Sequence, residues 1–160
     1  MSKDPKTAPP QHVFDALVIG SGSAGLTYAL KVAEKGAVAV LTKRATDDSN
    51  TRWAQGGIAA VMGQDDSFAS HVADTIKAGD ALNNPEIVRL CVEEGPARLQ
   101  ELLELGVKFT RNQEADALDL TREGGHSERR IVHAKDMTGH AVIEALIRAV
   151  KEHPNIRVFQ

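Results

Sequence analysis

Residues Phe14 to Lys43, FDALVIGSGSAGLTYALKVAEKGAVAVLTK, decide the fold. An apolar strand gives way at Gly20 to a glycine-punctuated turn, then to helix-forming residues over Ser23 to Lys35, and after Gly36 to a second apolar strand, Ala37 to Leu41. Strand, turn, helix and strand within about 30 residues make a βαβ unit. Gly36 suits the left-handed position that closes helices.

Gly20, Gly22 and Gly25 form GxGxxG directly after the first strand and at the mouth of the helix. The first glycine permits the tight turn, the second lets backbone approach a pyrophosphate, and the third lets helix and strand pack closely. Unpaired backbone N–H groups at the positive end of the helix dipole would hold the phosphates. The expected class is therefore α/β, a Rossmann-like dinucleotide-binding fold. At the end of the second strand an NAD enzyme offers a carboxylate to the ribose hydroxyls. This chain offers Thr42, Lys43 and Arg44, and Asp47 and Asp48 come several residues later. Plain NAD loses ground; the basic pair suits the phosphate of NADP, and FAD, whose adenosine a lysine or backbone can hold, stays open as well.

Beyond that unit, Lys43 to Gly57 reads as a long polar loop of the kind that carries function. Helical spacing returns in SFASHVADTIKAG, Ser67 to Gly79, and again from Pro85 to Leu105, where Pro96 is expected to divide two helices. Val107 to His133 is mixed, with short apolar pieces (Val107 to Phe109, Ala117 to Leu120, Ile131 to Val132) that read as short strands. Thr138 is expected to cap a helix whose Val142, Ile143, Leu146, Ile147 and Val150 share one stripe, and Asn155 to Gln160 starts another strand. A domain ending just inside a new strand is expected to be incomplete.

The bulk properties bound the partners. A chain of 160 residues with 42% apolar content can bury one domain core. A formal net charge of -3 gives no global positive field, so neither nucleic acid nor an anionic membrane is expected as a partner. Cys91 is the single cysteine, which excludes an internal disulfide and fits a reducing compartment, with cytoplasm as the default. Met1 to Val13 is polar and rich in proline, without the apolar run of a signal peptide or membrane span, and reads as a flexible N-terminal tail. His126, His133 and His140 are evenly spaced but follow no usual ligand spacing, so no metal is expected. His126 and His71 read as structural histidines. Trp53 packs either against a cofactor or in the core.

A second glycine loop, NTRWAQGGIAAV over Asn50 to Val61, would bring bare backbone up to a large flat ligand. Together with SGSAG, HVADTIKAG, LTREGGHSERRIVHAKDMTG and HPNIRV, it resembles the L-aspartate oxidases, flavoenzymes related to the succinate dehydrogenase and fumarate reductase flavoproteins. The resemblance runs from Phe14 to Gln160. It implies FAD rather than NADP, with Gly20, Ser21, Gly22, Ser23, Ala24 and Gly25 around the pyrophosphate and Lys43 near the adenosine. Asn50, Thr51, Arg52, Trp53, Ala54, Gln55, Gly56 and Gly57 would line the ribityl chain and the isoalloxazine. Succinate-oxidising relatives carry a flavin-linked histidine where this chain has Asn50, so a non-covalent cofactor is implied.

Glu123 matches the acidic residue that orients the substrate ammonium in the resembled family; Arg122, Arg129 and Arg130 are candidate supports for the carboxylates. The implied reaction oxidises L-aspartate to iminoaspartate, a hydride passing from Cα to the flavin and then to oxygen or fumarate. It would feed quinolinate formation in NAD biosynthesis, with quinolinate synthase as metabolic neighbour. Chains of the resembled family are longer. The remainder of the FAD-binding domain, the capping domain with the main acid–base groups and the C-terminal helical domain are expected to lie outside these residues, leaving the isolated chain inactive.

Overall fold

A computed structural model describes residues 11–112 and 117–160. Most of the expected tail, Met1 to Pro10, lies outside the described residues; His12, at its end, stacks against Phe159 with ring centroids 5.3 Å apart.

The βαβ unit is present as β1 (Ala16–Ile19), α1 (Ser23–Ala33) and β2 (Val38–Leu41). With β6 (Ile156–Phe159) these strands form a parallel sheet of order β1-β2-β6, in which Ala16 pairs with Val38 and Val38 with Ile156. Val38, Ala39 and Val40 are all buried, as a near-continuous apolar run in a parallel sheet should be. Leu26, Ala29 and Ala33 of α1 pack into the core with Ile143, Leu146 and Val150 of α4 (Thr138–Glu152). The stripe read from the sequence of α4 is thus its buried face.

A second, antiparallel sheet of order β3-β5-β4 joins β3 (Ile58–Ala59), β4 (Leu120–Thr121) and β5 (Ile131–Val132). Ile58 and Leu120 both pair with Val132. This small sheet matters most for the site, because it fixes the diglycine preceding β3 beside the turn that joins β4 to β5. Two helices accompany it. In α2 (Phe68–Ala78) the Ser67 hydroxyl caps the first turn by accepting from Ser70 N at 3.1 Å. In α3 (Pro85–Glu104) Asn84 is the cap and Pro85 takes the first turn, where its missing N–H costs nothing.

Four local expectations are corrected. Pro96 does not divide α3; Val92 and Leu99 are buried on either side of it, and burial along both halves outweighs the lost backbone bond. Gly36 is not left-handed. The helix closes at Glu34 with φ -65°, and Gly36 is needed because a Cβ there would lie 2.6 Å from the Asp15 carboxylate, which accepts from Ala37 N at 2.7 Å. Thr138 is the first residue of α4 and Met137 its cap. Val107 to Phe109 form no strand, although Val107 and Phe109 are buried.

Candidate functional site

The first glycine turn behaves as its spacing demands. Gly20 has φ +107°, a conformation that side-chain-bearing residues rarely take, and its N–H donates to Leu41 O at 2.8 Å. A Cβ on Gly25 would run into the Gly20 carbonyl, so only glycine lets α1 start so close to β1. Gly22 caps α1 without a side chain to offer its N–H groups. Ser21 is buried and its hydroxyl pairs with that of Thr42 at 3.2 Å, so any contact it makes with phosphate is through backbone. Lys43 and Arg44 stand exposed just beyond, with Arg44 paired to Asp48 at 3.3 Å.

Thr51 ties the two glycine loops together. Its hydroxyl accepts from Ser23 N at 3.0 Å at the opening of α1 and lies 3.3 Å from Ser23 Oγ. Asn50 and the run Trp53 to Gly57 are exposed, and Arg52 pairs with Asp47 while its guanidinium lies 5.9 Å from the Trp53 ring centre. Trp53 is 70% exposed, which removes the core reading for it.

Sequence reasoning missed what supports this loop from behind. The Thr138 hydroxyl accepts from Ala134 N at 3.1 Å and donates to Gly56 O, and Gly139 N donates to Ala54 O at 3.1 Å. A Cβ on Gly139 would collide with the Thr51 and Ala54 carbonyls. A glycine in the first turn of an otherwise strong helix was the available signal, since that residue costs helix stability unless close approach requires it. Gly57 is similarly forced: a Cβ there would meet Ile131 and the Val132 carbonyl.

Gln55 borders two hollows, with Gly57 lining the first and Gly56 the second. One, of about 580 Å³, is largely apolar and bordered by Ser23, Ala24, Thr51, Ala54 and Thr138. The other, of about 590 Å³, holds Thr121, Glu123, His133 and Lys135. Gly56 has φ +76°, and a Cβ on it would lie 3.4 Å from Glu123 Oε1. The Glu123 carboxylate therefore lies beside Gly56, on the side where a Cβ would stand.

The three arginines separate. Arg122 and Arg129 are exposed and donate to the carbonyls of Ser127 (3.4 Å) and Leu120 (2.9 Å), holding the turn together. Arg130 has no exposed surface and is paired with Asp66 at 2.7 Å and Asp74 at 2.8 Å, which removes it from the candidate substrate supports. Burial works against its charge, but the bonds and fields of the two aspartates outweigh that and raise its pKa. Asp74 is held down to about 2, first by Ser127 N and Oγ and then by Arg130. His71, buried beside them, is lowered by burial and then by the Arg130 and His126 charges.

The evenly spaced histidines have different surroundings. His126 faces Arg130 and His71, His133 lies 3.5 Å from Asp119, and His140 pairs with Glu144 at 3.2 Å. Among the described residues no three His, Cys, Asp or Glu groups converge as a metal site, and no helix is long and apolar enough to cross a membrane.

These features fit a flavin dinucleotide. The open space around a Cβ at Gly20 and the cap at Gly22, which carries no side chain, leave room for phosphate at the mouth of α1 beside the Thr51 hydroxyl that takes the Ser23 N–H. The exposed backbone of Ala54 to Gly57 leaves a flat ligand free to approach.

Comparison with known proteins agrees. Residues 15–160 match the model of the FAD binding domain family. The chain is 54% identical to L-aspartate oxidase 2-a, chloroplastic, of Nicotiana tabacum, over 92% of this chain and 23% of that one. It is 48% identical to L-aspartate oxidase 1 of Ralstonia nicotianae, over 92% and 28% respectively. Among solved structures, quinol fumarate reductase FrdA of E. coli in a mutant form superposes with a TM-score of 0.87 at 30% identity, covering 92% of this chain and 26% of that chain. Sdh1 of Mycobacterium smegmatis gives 0.84 at 34% identity, covering 92% and 27%. The chain thus spans about a quarter of the length of these relatives. With a dinucleotide turn, an apposed diglycine strip and a family match across the whole described βαβ unit, this chain belongs to the FAD binding domain family, and its cofactor is FAD.

Proposed function

We propose that these residues are the N-terminal part of the FAD-binding domain of an L-aspartate oxidase. The observation that carries this reading is the Glu123 carboxylate beside Gly56, in the hollow next to the one at the mouth of α1, with Gln55 lining both. The NADP alternative suggested by Lys43 and Arg44 is set aside by the family match. The names of the similar curated chains support aspartate as the substrate.

Bound FAD would supply the two-electron acceptor. The residues proposed to hold it are Gly20 to Gly25 through the backbone of their turn, in which the Gly20 and Ser23 N–H groups are engaged by Leu41 O and the Thr51 hydroxyl, Lys43 beside the adenosine, and Asn50 to Gly57 along the remainder. Asn50 has no side chain able to form a covalent flavin link, so acid precipitation of the holoenzyme should leave the yellow colour in solution; colour retained in the pellet would refute this.

Glu123 accepts hydrogen bonds from the substrate ammonium and so orients the Cα–H bond that must break. Aspartate loses that hydrogen with its electron pair and a proton from nitrogen, giving iminoaspartate; oxygen or fumarate takes the electrons in turnover. The product is a reactive imine, which suits consumption by a quinolinate-forming step in NAD biosynthesis. The reducing compartment read from the single Cys91, the cytoplasm, is the proposed setting. The main acid–base groups are proposed to lie outside this segment, so the isolated chain mixed with FAD and aspartate should yield no hydrogen peroxide.

The test is Glu123→Gln in the full-length holoenzyme. Losing one charge-assisted hydrogen bond of about 2 kcal/mol should lower kcat/KM for L-aspartate by roughly 30-fold. Inhibition by succinate, which has the carboxylates and lacks the ammonium, should hardly change. An equal effect on both ligands, or none on aspartate, would overturn the assignment.

A further inference from the structure

Glu123 sits on a turn that ought to be loose. It is followed by Gly124 and Gly125, the second at φ +86°, and both are exposed. Glycine carries the largest backbone freedom, so a carboxylate there would not hold one position without an external anchor.

The anchor is on α2. Asp74 Oδ2 accepts from Ser127 N at 2.7 Å, from Ser127 Oγ at 2.7 Å and from Arg130 Nη1 at 2.8 Å. Arg130 in turn grips Asp66 with both arms of its fork, Nε at 2.8 Å and Nη2 at 2.7 Å, and donates to Ser70 Oγ at 3.0 Å. Its Nη1 also faces His126 Nδ1 at 3.5 Å, and Ser70 Oγ meets Ser127 Oγ at 3.0 Å. The N–H groups of the guanidinium are all committed, and its planar fork fixes direction as well as distance.

A buried ion cluster of this kind gains little stability over a well-packed apolar one, because desolvation offsets the attraction. What it supplies is a unique geometry. The cluster joins α2 to both the middle (Ser127) and the end (Arg130) of the turn whose beginning carries Glu123. We propose that Asp74 and Arg130 are positioning residues that hold Glu123 at the diglycine for recognition of the substrate ammonium. This rests on the reading of Glu123 given above.

The experiment uses the full-length holoenzyme and reads kcat/KM for L-aspartate against the inhibition constant of succinate. Ser127 N, Ser127 Oγ and Arg130 Nη1 all donate to the same oxygen, so Asp74→Asn either keeps a neutral acceptor there and loses the charge, or places an amide N–H against all three donors. It should lower kcat/KM for aspartate by about tenfold, leave succinate inhibition and FAD content unchanged, and be restored to within about threefold by Asp74→Glu. Ser127→Ala, which removes one exposed hydroxyl, should act in the same direction by about threefold, so the test stands even if Asp74→Asn does not fold. Equal changes for aspartate and succinate, or unchanged aspartate kinetics, would overturn the proposal. Selective loss in Glu123→Gln without any in Asp74→Asn and Ser127→Ala would overturn it while leaving the role of Glu123 intact. Absence of selective loss in Glu123→Gln would remove both.

Discussion

At Gly57 an added methyl group would collide with Ile131 and the Val132 carbonyl, whereas at Gly124 it would meet nothing within 4 Å. Gly57→Ala should therefore destabilise the fold by about 1–3 kcal/mol through overpacking, and Gly124→Ala should be near neutral; urea midpoints of the two variants check the contrast. His71 gives a pH signature. Its folded pKa lies below the ordinary histidine value, first because burial disfavours its charge, then because Arg130 and His126 oppose it, with Asp66 and Asp74 favouring it. The neutral form is the one the fold accommodates, so the contribution of His71 is complete above the unfolded value of about 6.5 and is lost as pH falls through the lower folded value. The melting temperature should decline as pH falls from neutral to below the ordinary histidine value, and His71→Gln should flatten that part of the curve; a slope unchanged by the substitution would show that other groups carry it. Asp74 acts in a separate window, because its contribution is lost only as pH falls from its ordinary range toward about 2.

Among the elements, α3 carries a testable cost. Pro96 removes one backbone bond inside a helix that remains continuous from Pro85 to Glu104. Pro96→Ala should raise stability by up to about 3 kcal/mol, read as a higher denaturation midpoint at unchanged m-value. A loss of stability would mean that the ring itself packs usefully. The sequence period made α1, β2 and the stripe of α4 legible, since each buries one apolar face or run, and α2 and β6 were legible from their pattern although α2 buries only His71 and Val72 and β6 is at most half-buried. It misjudged Pro96 because propensity is local and the burial of Val92 and Leu99 is not. The small β3-β5-β4 sheet was only partly legible, because strands of two residues carry no period, and their pairing is set by contacts between distant parts of the chain.

Over the molecule as a whole, the same division holds for the site. Spacing alone located the tight glycine turn between β1 and α1, since the conformation of Gly20 and the close approach at Gly25 follow from short-range backbone geometry. The opposite fates of Arg122, Arg129 and Arg130 were not readable, because three arginines near one turn look alike until Asp66, just before α2, and Asp74, on α2, pair with one of them. Nor was the support of the second glycine loop by Thr138 and Gly139, which joins residues far apart in the chain. What results is a strip of backbone from Gln55 to Gly57, braced by α4 on one side and carrying Glu123 on the other, with FAD assigned to the chain by family. The most direct measurement is anaerobic mixing of the yellow full-length protein with L-aspartate or with succinate while the visible flavin band is followed. L-aspartate should bleach the band and succinate should leave it essentially intact; bleaching by succinate at a comparable rate, or a protein that carries no flavin band at all, would refute the proposed function.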